Sequence, residues 1–467
     1  MAIGYRQCPS PGVVLIHRVS AIFVQVTGFD GNFTKMRLSV GLMAIACLAC
    51  ACGRPSDSAQ VIKIRVANWG GASDESDFNK VQQNLYAEFE RQNPGVKVVI
   101  EGSPDQYVAK MMLAHIANAS PDIVTLDASS SALFLNSGML QDLSPFIEKD
   151  PSFKLSDRYP NIVDIARRGD EVYAIPNDFT PMVMYYNKRL FDVAGVPYPK
   201  AGWTFDDFRE TAKKLTIPGK QYGFSFTNWF PGWVMWLWNN GGDCFSPDFT
   251  RASGYLDSPQ NVKTVEFLRD LINVDKSAPS LSQAAASGVD LFANGQAAMT
   301  VNGHWALVGY SVAPKDQNGK PKIVLDDLGV VPLPSNTGKS VTVMYESGYA
   351  ITKRAKHPEV AWKFIKYMTS AEVRKKLIST GIAIDARIDV SEERGKDRLD
   401  AMFLPIIPTA RPPYGTQVEG FEMVETQAQN AMDAVLKNGR DPKAMLTKAA
   451  KRIDEELAKR QIPGVAK

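Results

Sequence analysis

From Val61 onward the chain alternates short apolar strands with amphipathic helices, and that alternation restricts the architecture more than any other feature of the sequence. Val61–Ala67 has a period of two and reads as a strand. In Ser76–Gln92, the residues Phe78, Val81, Leu85 and Phe89 fall on one helical face, and Asn93-Pro94-Gly95 stops the helix. Val96–Glu101 reads as a second strand, Tyr107–Asn118 as a second helix and Ile123–Leu126 as a third strand. Helices between strands at this spacing predict a mostly parallel α/β sheet. Ligands of such sheets sit outside the carboxyl ends of the strands. Trp69 and Asp127 fall there, just past the first and third strands.

About 415 residues follow Cys52, more than one hydrophobic core usually holds, so two lobes are expected. Val172–Asn187 is extended but interrupted by Pro176 and Pro181, which suits a crossover between lobes better than a central strand. Thr204 with Asp207, and Thr369 with Glu372, have the spacing of helix-capping pairs. Trp229, Trp233 and Trp236 recur at i, i+4, i+7 on a helix that Gly241-Gly242 would end. Phe421–Lys459 reads as two amphipathic helices broken near Gly439-Arg440-Asp441-Pro442.

Ahead of these elements, Met36–Gly53 (MRLSVGLMAIACLACACG) has a basic start, a short apolar run and small residues at its end. That is the pattern of a secretory signal, and the run is too short to span a bilayer. Its termination on Cys52 resembles a bacterial lipoprotein signal, in which the cysteine becomes the lipidated first residue. Cys50 competes for that role, and a cut without lipidation is the remaining alternative. Residues 1–35 do not read as part of a signal, and Met36 is the expected start. Of five cysteines only Cys244 lies beyond position 52, so no internal disulfide is expected there, and Cys244 is expected to be a buried thiol. A net charge of +3 gives no reason to expect a nucleic acid partner.

Several segments, in order, resemble the sugar-binding, maltose-binding-protein-like branch of the extracellular solute-binding proteins of bacterial ABC importers. They include Glu90–Val96 (ERQNPGV), Pro121–Val124 (PDIV), Tyr173–Pro176 (YAIP), Met184–Phe191 (MYYNKRLF), Trp203–Phe208 (WTFDDF), Phe292–Met299 (FANGQAAM) and Ser347–Ile351 (SGYAI). The resemblance implies a periplasmic-binding-protein-like fold, two α/β lobes joined by crossing hinge segments with a ligand cleft between them. It implies a first lobe over 61–175 behind a linker at 53–60, a second over 176–340, a return to the first over 341–385 and, over 386–467, C-terminal helices packing on the second. The crossings are expected near Ile175–Phe179 and Leu333–Tyr345.

A sugar-binding cleft needs carboxylates, amides and Arg for the hydroxyls and aromatic faces for the CH side. The ligand-binding candidates are Trp69, Asp127, Asp178, Trp233, Trp305, Tyr345 and Arg387. Trp69 sits between small residues in a loop, and Asp178 lies in the first crossing. Trp305 follows a strand expected to end at the cleft, and Tyr345 occupies a family position usually rich in glycine. Arg387 resembles a family turn, with Ile384-Asp385 where proline is common. Neither a P-loop, nor HExxH, nor GxSxG occurs after the signal, and no cofactor or metal is expected. The expected role is therefore non-enzymatic: capture of a carbohydrate by hinge closure and delivery to a membrane permease. The protein would act as a monomer in the periplasm or at the cell surface. The rivals are the same fold binding glycerol phosphate or a polyamine, and a secreted carbohydrate-active enzyme.

Overall fold

The computed structural model describes residues 61–69, 77–103, 106–381, 383–418 and 420–459; the signal segment with Cys50 and Cys52 lies outside the described residues. The opening alternation folds as the periodicity predicts. Strands β1 (Ile62–Asn68), β2 (Val96–Gly102) and β3 (Ile123–Asp127) pair in parallel, with helices Asp77–Gln92 and Tyr107–Ile116 between them. A short ribbon of β4 (Arg167–Arg168) and β5 (Glu171–Val172) precedes two consecutive strands, β6 (Ile175–Pro181) and β7 (Val183–Asn187).

The remaining strands are β8 (Tyr222–Ser225), β9 (Ala297–Asn302), β10 (Leu328–Val331), β11 (Thr342–Ile351), β12 (Ile384–Asp385) and β13 (Ala410–Arg411). One sheet has the order β12-β6-β11-β3-β1-β2, with β13 beside β11. The second has the order β10-β7-β9-β8. Each is mixed rather than mostly parallel. In the first, β11 returns from the second lobe and enters antiparallel to both β3 and β6. In the second, β7 runs antiparallel to β9 and β10 while β8 runs parallel to β9.

The proline-bearing segment holds the crossover, and both of its arms are paired strands. Pro176 lies beyond the reach of β12, which pairs only with Asp178 and Phe179, so that side of β6 is an edge where proline is tolerated. The chain changes sheets at Met182, a few residues later than the sequence implied. It crosses back over residues 332–341, between β10 and β11. The two crossings are tied together there, for the Met182 amide donates to the Val343 carbonyl at 3.0 Å and the Thr342 hydroxyl to the Met182 carbonyl at 2.5 Å.

Helix Phe205–Lys214 begins with the Thr204–Asp207 capping box. The pair Thr369–Glu372 does not cap its helix, because the Thr369 hydroxyl turns back to the Ile365 carbonyl and Ser370 takes the N-cap position. The C-terminal helices, Phe421–Leu436 and Pro442–Lys459, share one core with Trp233, Trp236 and Leu268. Cys244 is free and buried, and burial pushes its thiol up. Among the described residues no helix is long and apolar enough to cross a membrane, and no cluster of His, Cys, Asp and Glu could hold a metal ion.

Candidate functional site

A cavity of about 170 Å³ opens where the two sheets meet. Val108, Asp127 and Ser130 line it from the first lobe, and Phe230, Trp238 and Glu425 line it from the second. Tyr345 of β11 and Tyr414 complete the wall.

Asp127 reaches the cavity because it is the last residue of β3, at the strand's carboxyl end. Its Oδ1 accepts the amides of Ser129 (2.7 Å) and Ser130 (3.1 Å), and its Oδ2 accepts the Ser130 hydroxyl (2.8 Å). These bonds fix its orientation. Burial pushes the Asp127 carboxyl up against the pull of those bonds. On the opposite wall Glu422 and Glu425 sit in the first turns of helix Phe421–Leu436, where the helix dipole favours anions. Neither carboxylate makes a hydrogen bond or ion pair with a described residue. Burial, then Glu422, then Asp127 push the Glu425 carboxyl up to about 6.

Tyr345 anchors a row of aromatic rings. The Trp229 ring stacks on it at 6.1 Å with an interplanar angle of 19°, and Trp305 meets it edge-on at 6.1 Å. Trp229 is 44% exposed, so its indole face is open to solvent. Trp305 also lines a second, more open cavity with Asp290, Asn302 and Tyr310.

Of the residues singled out from sequence, Asp127 and Tyr345 meet at the interlobe cavity, and Trp305 adjoins it through Tyr345. The other four are placed differently. Trp69 packs on Tyr107 at 5.5 Å and is not among the residues lining this cavity. Trp233 is 0% exposed and its indole donates to Gln429 at 3.0 Å; it is core. Asp178 accepts from Ser347 (2.5 Å), Asn177 (3.0 Å) and the Arg374 guanidinium (3.2 Å), whose charge pairs it within the fold and makes it a structural anchor. Arg387 is held away by Asp389 (2.8 Å) and Asp157 (3.3 Å). His304 is buried with its Nε2 2.7 Å from Asp400.

Sequence reasoning missed two features. Trp229 was grouped with a helical stripe, but the helix starts at Phe230 and leaves Trp229 in extended conformation as its N-cap. Glu425 carried a readable signal: it follows Phe421 by four and precedes Ala428 by three, a carboxylate inside an apolar stripe.

Two α/β lobes linked by crossing strands, with a cavity lined from both, define a two-lobe ligand-binding protein. The family model for bacterial extracellular solute-binding proteins matches residues 72–375, and the chain belongs to that family. It is 24% identical to the multiple sugar-binding protein of Streptococcus mutans, over 72% of this chain and 78% of that protein. It is 27% identical to an uncharacterized lipoprotein of Streptomyces antibioticus, over 41% of this chain and 42% of that protein. Among solved structures, the ABC substrate-binding protein of Listeria monocytogenes in complex with cycloalternan superimposes with a TM-score of 0.72. That match has 26% identity and covers 85% of this chain and 98% of the other.

Proposed function

We propose that this protein captures a carbohydrate in the interlobe cavity and hands it to the permease of an ABC importer. The observation that carries the reading is the cavity with its aromatic margin. Trp229, Tyr345 and Trp305 offer ring faces for the CH side of a sugar, while Asp127 turns a carboxylate toward its hydroxyls. The sugar-binding relative and the cycloalternan complex support the same reading. Closure turns about Met182 and residues 332–341, and only a ligand that touches both lobes favours it. The protein binds as a monomer and returns the sugar unchanged.

A thermal-shift screen against mono- and oligosaccharides tests this, because a ligand at 100 times its Kd adds about 2.7 kcal/mol. Incubation with the hits should leave them chemically intact; hydrolysis would point to an enzyme. No stabilisation by any sugar would defeat the reading.

Export places the protein on the outer side of a membrane, held by a lipid on Cys52. The lipoprotein relative supports this. Two acyl chains give stable anchoring where one is marginal. Palmitate labelling lost in Cys52→Ser is the expected result; labelling that persists there but vanishes in Cys50→Ser would move the site to Cys50.

A further inference from the structure

We infer that the sugar carries a protonated amine, and that Asp127, Glu422 and Glu425 receive it. The inference rests on the sugar-capture reading and narrows its substrate class. The cavity marks the site; the carboxylates set its preference. Three of them converge from opposite lobes on one small space, and among its described lining residues there is no Lys, Arg or His. Arg411, which stacks over Trp238 at 4.4 Å, is already paired with Asp243 at 3.1 Å. The wall is therefore a set of anions for which the described lining residues provide no counter-charge.

Burial first, then the neighbouring Glu422 and Asp127 charges, displace the Glu425 carboxyl upward. A neutral sugar would donate hydroxyls to these oxygens and leave the repulsion in place. An ammonium brings three N–H donors and the missing charge. Asp127 and Glu425 both present carboxylate oxygens to the cavity, and the Glu425 carboxylate has no hydrogen-bond donor among the described residues. Aromatic faces within about 6 Å of a cation attract it further, and Phe230, Trp238 and Tyr345 share the same wall. A phosphate or carboxylate ligand would meet three negative charges and is disfavoured. A linear polyamine would satisfy the charges but has no ring for the row Trp229–Tyr345–Trp305.

The test is titration calorimetry of the mature chain at pH 7.5 and low salt. The probes are glucosamine, galactosamine and glucosamine oligomers, compared with their N-acetylated forms, with neutral sugars of equal length and with spermidine. Binding of an amine form at least tenfold tighter than its N-acetylated and neutral counterparts is the expected result. Glu425→Gln, and separately the exposed Glu422→Gln, should narrow that ratio to threefold or less. The Glu422 variant keeps the test open should the Glu425 variant fold poorly. Neutral or N-acetylated sugars binding as well as the amines would overturn the inference while leaving sugar capture intact. Spermidine binding with no binding of any sugar would overturn both.

Discussion

Two clusters of carboxylates lie near the junction of the lobes, and the chain treats them in opposite ways. In the first, Arg374 is buried between Asp385 (2.6 Å) and Asp178 (3.2 Å), and Asp178 also receives Ser347 and Asn177. Its counter-charge is inside the protein, and the flanking carboxylates hold the guanidinium charged. In the second, Asp127, Glu422 and Glu425 face a cavity with no cation from the described chain. The difference separates structure from recognition: a buried anion paired from within holds the fold, while an anion left unpaired beside a cavity costs stability until a ligand arrives.

The largest effect should come from breaking the paired cluster. Arg374→Met strands two buried carboxylates, and removing one partner of a buried ion pair costs about 3–5 kcal/mol. Urea unfolding should register that loss. Glu425→Gln should leave stability at pH 7 unchanged or raised, because it removes a repelled charge. Equal losses in the two variants would erase the distinction.

Next in size is the aromatic margin. Tyr345→Ala removes the ring that both Trp229 and Trp305 contact. Aromatic pairs are worth about 0.5–1.5 kcal/mol beyond their buried area, so sugar affinity should fall about tenfold. Trp229→Ala should do the same with less effect on melting, since Trp229 is exposed. Trp233→Ala should do the reverse and unfold the protein readily, because its ring is wholly core.

These contrasts show what sequence could reveal. Period-two and helical patterns were sufficient for β1 to β3 and their helices, because each element's burial follows from its own residues. The antiparallel entry of β11 was not legible, because it depends on where a strand returns after some 150 intervening residues. Asp178 and Asp127 look alike in sequence, each close to a strand that meets the lobe junction. Only the arrival of Arg374, 196 positions away, makes the first a structural anchor. Trp233 and Trp229 share a stripe, and the helix start between them decides which is buried. Glu425 was readable in principle as a charge in an apolar stripe, but its opposite number Asp127 lies some 300 residues upstream.

A smaller effect separates the clusters by pH. The Glu425 carboxyl, ordinarily near 4.5, is pushed up to about 6. The folded cavity thus holds this proton more tightly than the unfolded chain. Its contribution is fully present below about pH 4.5 and is lost as pH rises through about 6. The groups facing Glu425 are Glu422 on its own helix, Asp127 at the end of β3 and the Tyr345 hydroxyl, which burial keeps protonated. Relative to Glu425→Gln, the wild type should lose melting temperature between pH 4.5 and 7. A bound amine should reverse that trend, since it favours the ionised carboxylate. A wild-type curve parallel to the variant's would show that the cavity carboxylates do not sense one another.

The smallest effect is expected at Arg387, and it tests the comparison from its other side. Arg387 was a plausible ligand contact from sequence, yet its guanidinium is taken up by Asp389, which is about half exposed, and by Asp157. It belongs with the paired groups, outside the cavity. Its acidic partners are 36% and 54% exposed, so water screens the charges and each pair is worth about 0–1 kcal/mol. Arg387→Gln should therefore shift unfolding by less than about 1 kcal/mol and leave sugar affinity within twofold. The salt dependence of binding should also stay as in the wild type, because no cavity charge has changed. A tenfold loss of affinity in a variant that melts normally would mean that Arg387 swings into the cleft when the ligand binds. The cavity would then acquire the cation it lacks here, and the expected preference for an amine would give way to one for neutral or acidic sugars.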